Sequence, residues 1–203
     1  FIMLGRVFCR RFSTDSVKWL SDRLSKQLSR MGALEHIRKA AEKGDDKAMS
    51  LMGVCYAVGR DVQRDDAKAV EWFRKSLEKG NGEAALALGL WTLEGRAGLS
   101  KDTKQAADLL EFASKQGVPQ AQTVLGIMLQ DGVSLPVDKK KAASLFSQAS
   151  VSGDLRACYN LGVALELGDG VARDTVRATE LIRKAAAGGI AEAQFTLGKW
   201  YRE

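Results

Sequence analysis

Five glycines, Gly44, Gly80, Gly117, Gly153 and Gly189, stand 36, 37, 36 and 36 residues apart, each just past a stretch patterned for a helix. A second set, Gly53, Gly89, Gly126, Gly162 and Gly198, repeats the same spacings. A chain that copies itself at a period of this length folds as a stack of similar units, each burying a face that its neighbour would otherwise expose. The period therefore sets the fold class before any local motif is weighed. It also bounds the function: no catalytic residue set accompanies the repeat, and what a stack offers is a surface that binds something.

Each unit reads as two helical segments. The first segments run over 48–59, 84–95, 121–132, 157–168 and 193–201, and open on Ala48, Ala84, Ala121, Ala157 and Ala193. Glycine inside a helix costs about 1 kcal/mol relative to alanine. The recurrence of Gly53, Gly89, Gly126, Gly162 and Gly198 at one helical position thus marks a place that alanine cannot fill, read here as the crossing point of the helix pair. Gly59, Gly95, Gly132 and Gly168 close these helices in the manner of left-handed C-caps. Each following turn ends in an aspartate, Asp65, Asp102, Asp138 or Asp174, placed to cap the next helix. The second helices are predicted over 66–80, 103–117, 139–153 and 175–189, with an earlier copy over 31–44. One extra residue between Gly95 and Asp102 lengthens a single loop. The expected fold is all-α: a right-handed α-α superhelix, or solenoid, of helix-turn-helix repeats, its concave side lined by the first helices.

Several small and apolar positions recur together at this one period: Ala48, Met52, Gly53, Tyr56 and Gly59, then Asp65, Lys68 and Ala69, then Trp72, Phe73, Lys75 and Gly80. That pattern resembles the Sel-one-like repeats, relatives of the tetratricopeptide repeat, and the resemblance covers residues 31–203. It departs most at the tyrosine, replaced by Thr92, Leu129 and Leu165, and at the Trp-Phe pair, which becomes Leu109-Leu110, Leu145-Phe146 and Leu181-Ile182. The resemblance implies an adaptor or scaffold that binds a protein or peptide, without naming the partner.

Charge is concentrated at one end. Residues 1–30 hold seven basic residues against Asp15 and Asp22, whereas residues 31–203 hold 24 basic and 23 acidic residues. A repeat region so nearly neutral carries no phosphate-binding stripe, so nucleic acid is not an expected partner. The first fifteen residues place Arg6, Arg10 and Arg11 among Phe1, Ile2, Leu4, Val7, Phe8 and Phe12 with no acid before Asp15, a pattern that suits a mitochondrial transit segment. Residues 16–30 set Val17, Leu20, Leu24 and Leu28 at helical spacing, with Trp19 widening the face, and read as an N-terminal helix covering the first repeat. No apolar run is long enough to span a membrane.

Other chemistry is sparse. His36 is the sole histidine, and Cys9, Cys55 and Cys158 form no close pair, so neither a metal site nor a disulfide framework is expected. No cofactor is called for, and no enzyme activity. The candidate partner-facing residues are polar and aromatic positions of the first helices: Tyr56, Trp91, Gln122, Gln130, Tyr159, Asn160 and Glu166. The chain closes on a first helix alone, at residues 193–201, so further repeats or self-association through that open end are expected. The main functional expectation is a non-enzymatic scaffold in mitochondrial assembly or stress signalling, on the matrix side. The alternative is an adaptor in ubiquitin-linked protein turnover in the cytosol or endoplasmic reticulum.

Overall fold

The computed structural model describes residues 34–200. The leader, the segment 16–30 and Tyr201 lie outside the described residues. Ten α-helices follow one another, and no strand occurs among the described residues. They are α1 (Leu34–Glu42), α2 (Asp46–Val58), α3 (Asp66–Glu78), α4 (Gly82–Glu94), α5 (Thr103–Lys115), α6 (Pro119–Asp131), α7 (Lys139–Val151), α8 (Leu155–Leu167), α9 (Thr175–Ala187) and α10 (Ala191–Trp200). The even-numbered helices are the first helices of the repeats and the odd-numbered ones the second. The fold is all-α, built from helix-turn-helix repeats of about 36 residues.

Local chemistry fixes the helix starts. Asp65, Asp138 and Asp174 each accept from the backbone N–H three residues on, at Lys68, Lys141 and Arg177, and Asp102 accepts from Lys104 and Gln105. The first helices begin two residues earlier than their alanines suggest. Asp45, Asn81 and Asp154 cap them, accepting from the N–H of Ala48, Ala84 and Ala157, so each alanine is the third helical residue rather than the first. On α6 the N-cap is Val118, which has no side-chain bond to offer, and Pro119 supplies the pre-set first turn instead. At the other end Gly59, Gly95, Gly132 and Gly168 hold φ of 73°, 68°, 70° and 73°, a conformation open to glycine at little cost.

The chain divides into two compact units, Phe1–Phe112 and Ala113–Glu203. In the first, α2 packs on α1 and α3, and α3 packs in turn on α4. Phe73 and Trp91, both wholly buried, meet edge to face with ring centroids 5.7 Å apart. A buried ring of this kind contributes about 1.5–3 kcal/mol through its area alone. In the second unit α8 packs on α6, α7 and α9, and α9 on α10. Its centre holds Phe146, Met128 and Leu161, with a further cluster of Cys158, Ile182, Ala185, Ala186 and Ala193.

The glycine column marks where the two helices of a repeat come closest. A Cβ on Gly53 would stand 2.7 Å from the Phe73 ring, on Gly126 2.5 Å from the Phe146 ring, and on Gly162 2.6 Å from Ile182. Gly89 has more room, 3.1 Å to Leu110, and around Gly198 nothing lies within 4 Å. The second helix thus sets a large apolar side chain against the bare backbone of the first.

Candidate functional site

All the nominated partner-facing residues lie on first helices, but the fold does not expose them equally. Trp91 is wholly buried, with its ring edge against Phe73 and the Arg96 guanidinium 4.7 Å over its face. It is a core residue, and its nomination is corrected: the aromatic that looked available for a ligand anchors the preceding second helix instead. Gln122 is buried too. Its Nε2 donates to the Ser114 carbonyl at 3.5 Å and to Gln148 Oε1 at 3.4 Å. Gln194 repeats the same bond to Ala186 at 3.1 Å, so a glutamine here ties a first helix to the end of the preceding second helix. Gln122 is therefore an internal brace and is likewise set aside as a partner contact.

The remaining positions keep some surface. Tyr56 is half-buried on α2, with the Lys68 ammonium 5.6 Å from its ring centroid. Gln130 is half-buried near the end of α6. On α8, Tyr159, Asn160 and Glu166 are all half-exposed, and Val163 lies between them at helical spacing. These side chains share one stripe, because positions three and four apart lie on the same helix face. Leu167 continues it and is 67% exposed. Val163 and Leu167 escaped nomination because both are apolar, yet their spacing from Tyr159 and Asn160 was there to be read.

The stripe has distinct chemical parts. Tyr159 packs at its base on the cluster around Cys158 and Ile182, which fixes the ring. Asn160 Nδ2 is buried and has no hydrogen-bond partner among the described residues. A buried donor left unpaired costs about 1–3 kcal/mol, which the amide would recover by turning outward to a partner's carbonyl. Glu166 is held by Arg173, whose Nη2 lies 3.6 Å from Oε1 and whose Nε donates to the Glu166 carbonyl at 2.9 Å. An aromatic, an unsatisfied amide, an aliphatic pair and a carboxylate on one helix face can hold an extended segment or a helix of another protein.

The ionisable groups behave as structural ones. Burial pushes the Cys55 thiol up to about 11, aided by the charge of Asp61, and burial likewise raises Cys158. Both are protonated at neutral pH. Burial also raises the Asp154 carboxyl, against the opposing hydrogen bonds from the Ala157 N–H and Thr123. Among the described residues no group of three or more His, Cys, Asp or Glu gathers as metal ligands, and no helix is long and apolar enough to cross a membrane.

Helix pairs repeated at this period, joined through capped turns and offering a mixed stripe on a first helix, define a protein–protein interaction scaffold. The family model described as Sel1 repeat matches residues 25–45, 46–81, 82–118, 119–154 and 155–190, and the chain belongs to that family. Its boundaries at 46, 82, 119 and 155 fall at the starts of α2, α4, α6 and α8. Among solved structures it is similar to a protective antigen present in uropathogenic Escherichia coli strains, which displays an SLR fold. That likeness has 35% identity and a TM-score of 0.74, over 84% of this chain and 36% of the other. This chain thus spans about a third of the antigen's length. It is also similar to a Sel1 repeat protein from Oxalobacter formigenes, at 28% identity and TM-score 0.75, over 84% and 69% of the two chains. The immunity protein Pa5087 from Pseudomonas aeruginosa is 25% identical with TM-score 0.55, over 85% and 67%. No curated protein matches the chain.

Proposed function

We propose that this chain is a non-enzymatic scaffold of the mitochondrial matrix side, serving assembly or stress signalling by holding another protein on the first helices of its repeats. The observation that carries the binding reading is the half-open stripe of α8, where Tyr159, Asn160, Val163 and Glu166 stand together and Asn160 Nδ2 has no hydrogen-bond partner among the described residues. The mitochondrial reading is supported by the leader sequence, with Arg6, Arg10 and Arg11 among apolar residues and no acid before Asp15.

Two measurements test the two halves separately. A fluorescent protein fused to residues 1–30 should enter mitochondria; a diffuse cytosolic signal would favour the turnover adaptor of the cytosol or endoplasmic reticulum. Proximity labelling from the full chain should mark a restricted set of proteins, and Val163→Asp, which puts a charge in the middle of the stripe, should remove part of that set. An unchanged set in a variant with the wild-type melting temperature would move the binding surface away from α8.

A further inference from the structure

At the position after the crossing glycine, Val54, Leu90 and Ile127 are 4%, 5% and 3% exposed, whereas Val163 on α8 is half-exposed and Lys199 on α10 is exposed. Helix α8 is thus where this apolar column reaches the surface before it turns charged. The stripe around Val163 has an internal order. Successive residues turn by about 100° round a helix. Tyr159 and Glu166 therefore fall on one flank of Val163, and Asn160 and Leu167 on the other, each about 40–60° away. Along the axis Tyr159 stands four residues before Val163 and Leu167 four after, while Asn160 stands three before and Glu166 three after. A stripe balanced in this way matches itself when one copy is turned end for end.

We propose that the α8 stripe is occupied by α8 of a second copy of this chain, running antiparallel about a twofold axis at Val163. This rests on the reading of the stripe as a binding face and names what fills it. On the axis, Val163 meets Val163 of the other copy. On one flank Tyr159 comes opposite Glu166 of the other copy, level to within one residue's rise of about 1.5 Å. On the other flank Asn160 comes opposite Leu167, at the carbonyl end of the other helix. Each contact is made twice, as a twofold interface requires.

Charge selects the antiparallel sense. The Tyr159 hydroxyl is placed to donate to the Glu166 carboxylate of the other copy. That carboxylate keeps acceptor capacity, because Arg173 Nη2 stands 3.6 Å from Oε1, beyond hydrogen-bond length. Arg156 lies seven residues before Val163, near the middle of the same face, and meets the C-terminal end of the other α8, which carries partial negative charge. In a parallel pair Arg156 would face Arg156, and the Glu166 carboxylate would lie against Leu167. The thirteen residues of α8 extend about 20 Å, a contact at the small end of the range for specific interfaces. The dimer is therefore concentration-dependent, and any other protein that binds the stripe competes with the second copy.

Crosslinking and sedimentation of the full chain test this. In a Cys9→Ser background the remaining Cys55 and Cys158 are buried. Val163→Cys then puts a thiol on the axis, and mild oxidation should join two copies there severalfold faster than in Ser144→Cys, which places an exposed thiol on α7. The unaltered chain should sediment as a dimer at high concentration, and Val163→Asp, which sets two carboxylates on the axis, should return it to monomer. Equal crosslinking at the two positions, a monomer at the highest concentration, or a dimer that survives Val163→Asp would overturn the second copy as occupant. In any of those cases the binding face itself still stands if Val163→Asp removes proteins from the proximity-labelled set, and falls with the dimer if that set is unchanged.

Discussion

Arg96 holds Asp66 across thirty residues of sequence, its Nε and Nη2 each donating to Oδ2 at 3.2 Å. Asp66 is the first residue of a second helix, and Arg96 follows the C-cap glycine of the next first helix. In the C-terminal unit Lys139 and Asp169 occupy the same two positions, 3.0 Å apart, with the charges exchanged. The link between neighbouring repeats is thus a position pair that accepts either polarity. At the remaining register the sequence has Thr103 and Val133, so a charge pair is not demanded everywhere.

The two links differ in what surrounds them. Arg96 and Asp66 are 18% and 26% exposed, and the guanidinium also lies over Trp91; Lys139 and Asp169 are 48% and 37% exposed. Arg96→Ala should cost about 1.5–3 kcal/mol, the range for hydrogen bonds to charged groups. Lys139→Ala should cost less than about 1 kcal/mol. Denaturant melts of the two variants check this, and equal losses would show that burial of the pair does not matter.

Acid should act through Asp66. Desolvation draws its carboxyl upward, but the hydrogen bonds from Arg64 and the charge of Arg96 outweigh that, leaving it below its ordinary 3.8. A carboxylate depressed in the folded state adds stability that is present above its unfolded value and lost as pH falls through the folded one. Asp66→Asn should therefore lower stability at pH 7 and lose less than the wild type below about pH 4. Parallel stability–pH curves for the two proteins would contradict the assignment.

Asp154 should respond in the opposite sense. Its carboxyl is raised by burial, so the folded state carries a penalty above the folded value that is relieved as pH falls through it. Asparagine keeps the acceptor for the Ala157 N–H, and Asn81 already does this on α4. Asp154→Asn should match or exceed wild-type stability at pH 7, with any gain shrinking in acid. Asp154→Ala should lose about 1 kcal/mol with the cap. A loss in the asparagine variant as large as in the alanine variant would mean that the charge itself is required.

The buried thiols offer a chemical readout of folding. With Cys55 raised to about 11 and Cys158 also raised, neither supplies thiolate at pH 8. In a Cys9→Ser background, a maleimide should label the native protein slowly and both cysteines at once in denaturant. Rapid native labelling would show that α2 or α8 opens far more readily than its packing implies.

The sequence carried the architecture because the repeat averages over its own noise. One aspartate before one apolar run is a weak sign, but Asp65, Asp102, Asp138 and Asp174 at equal spacing put four helix starts at 66, 103, 139 and 175, where they stand. The first helices start two residues ahead of their recurring alanines, and the sequence hides this because the caps vary among Asp45, Asn81, Val118 and Asp154. Burial was less legible. Trp91 and Tyr159 look alike as aromatics on first helices, and only the third dimension sets one against Phe73 and leaves the other half-open. A repeat pattern says which face meets the next helix; it says little about how deeply each copy of a residue is buried.

The glycine column separates two roles that look identical in the repeat. At Gly126 an added Cβ would stand 2.5 Å from the Phe146 ring, closer than side chains tolerate, so either the ring or a helix must shift. At Gly198 there is nothing within 4 Å, and the same methyl group meets open space. Alanine at either site gains about 1 kcal/mol of helix preference. At Gly126 overpacking of about 1–3 kcal/mol opposes that gain and should exceed it. Gly126→Ala should therefore lower the melting temperature, Gly89→Ala should do so less because Leu110 leaves 3.1 Å, and Gly198→Ala should be neutral or slightly stabilising. Thermal melts of the three single variants decide the matter. If Gly126→Ala melted at or above the wild type, Phe146 would have room to turn aside, and close approach would not explain the glycine at that position.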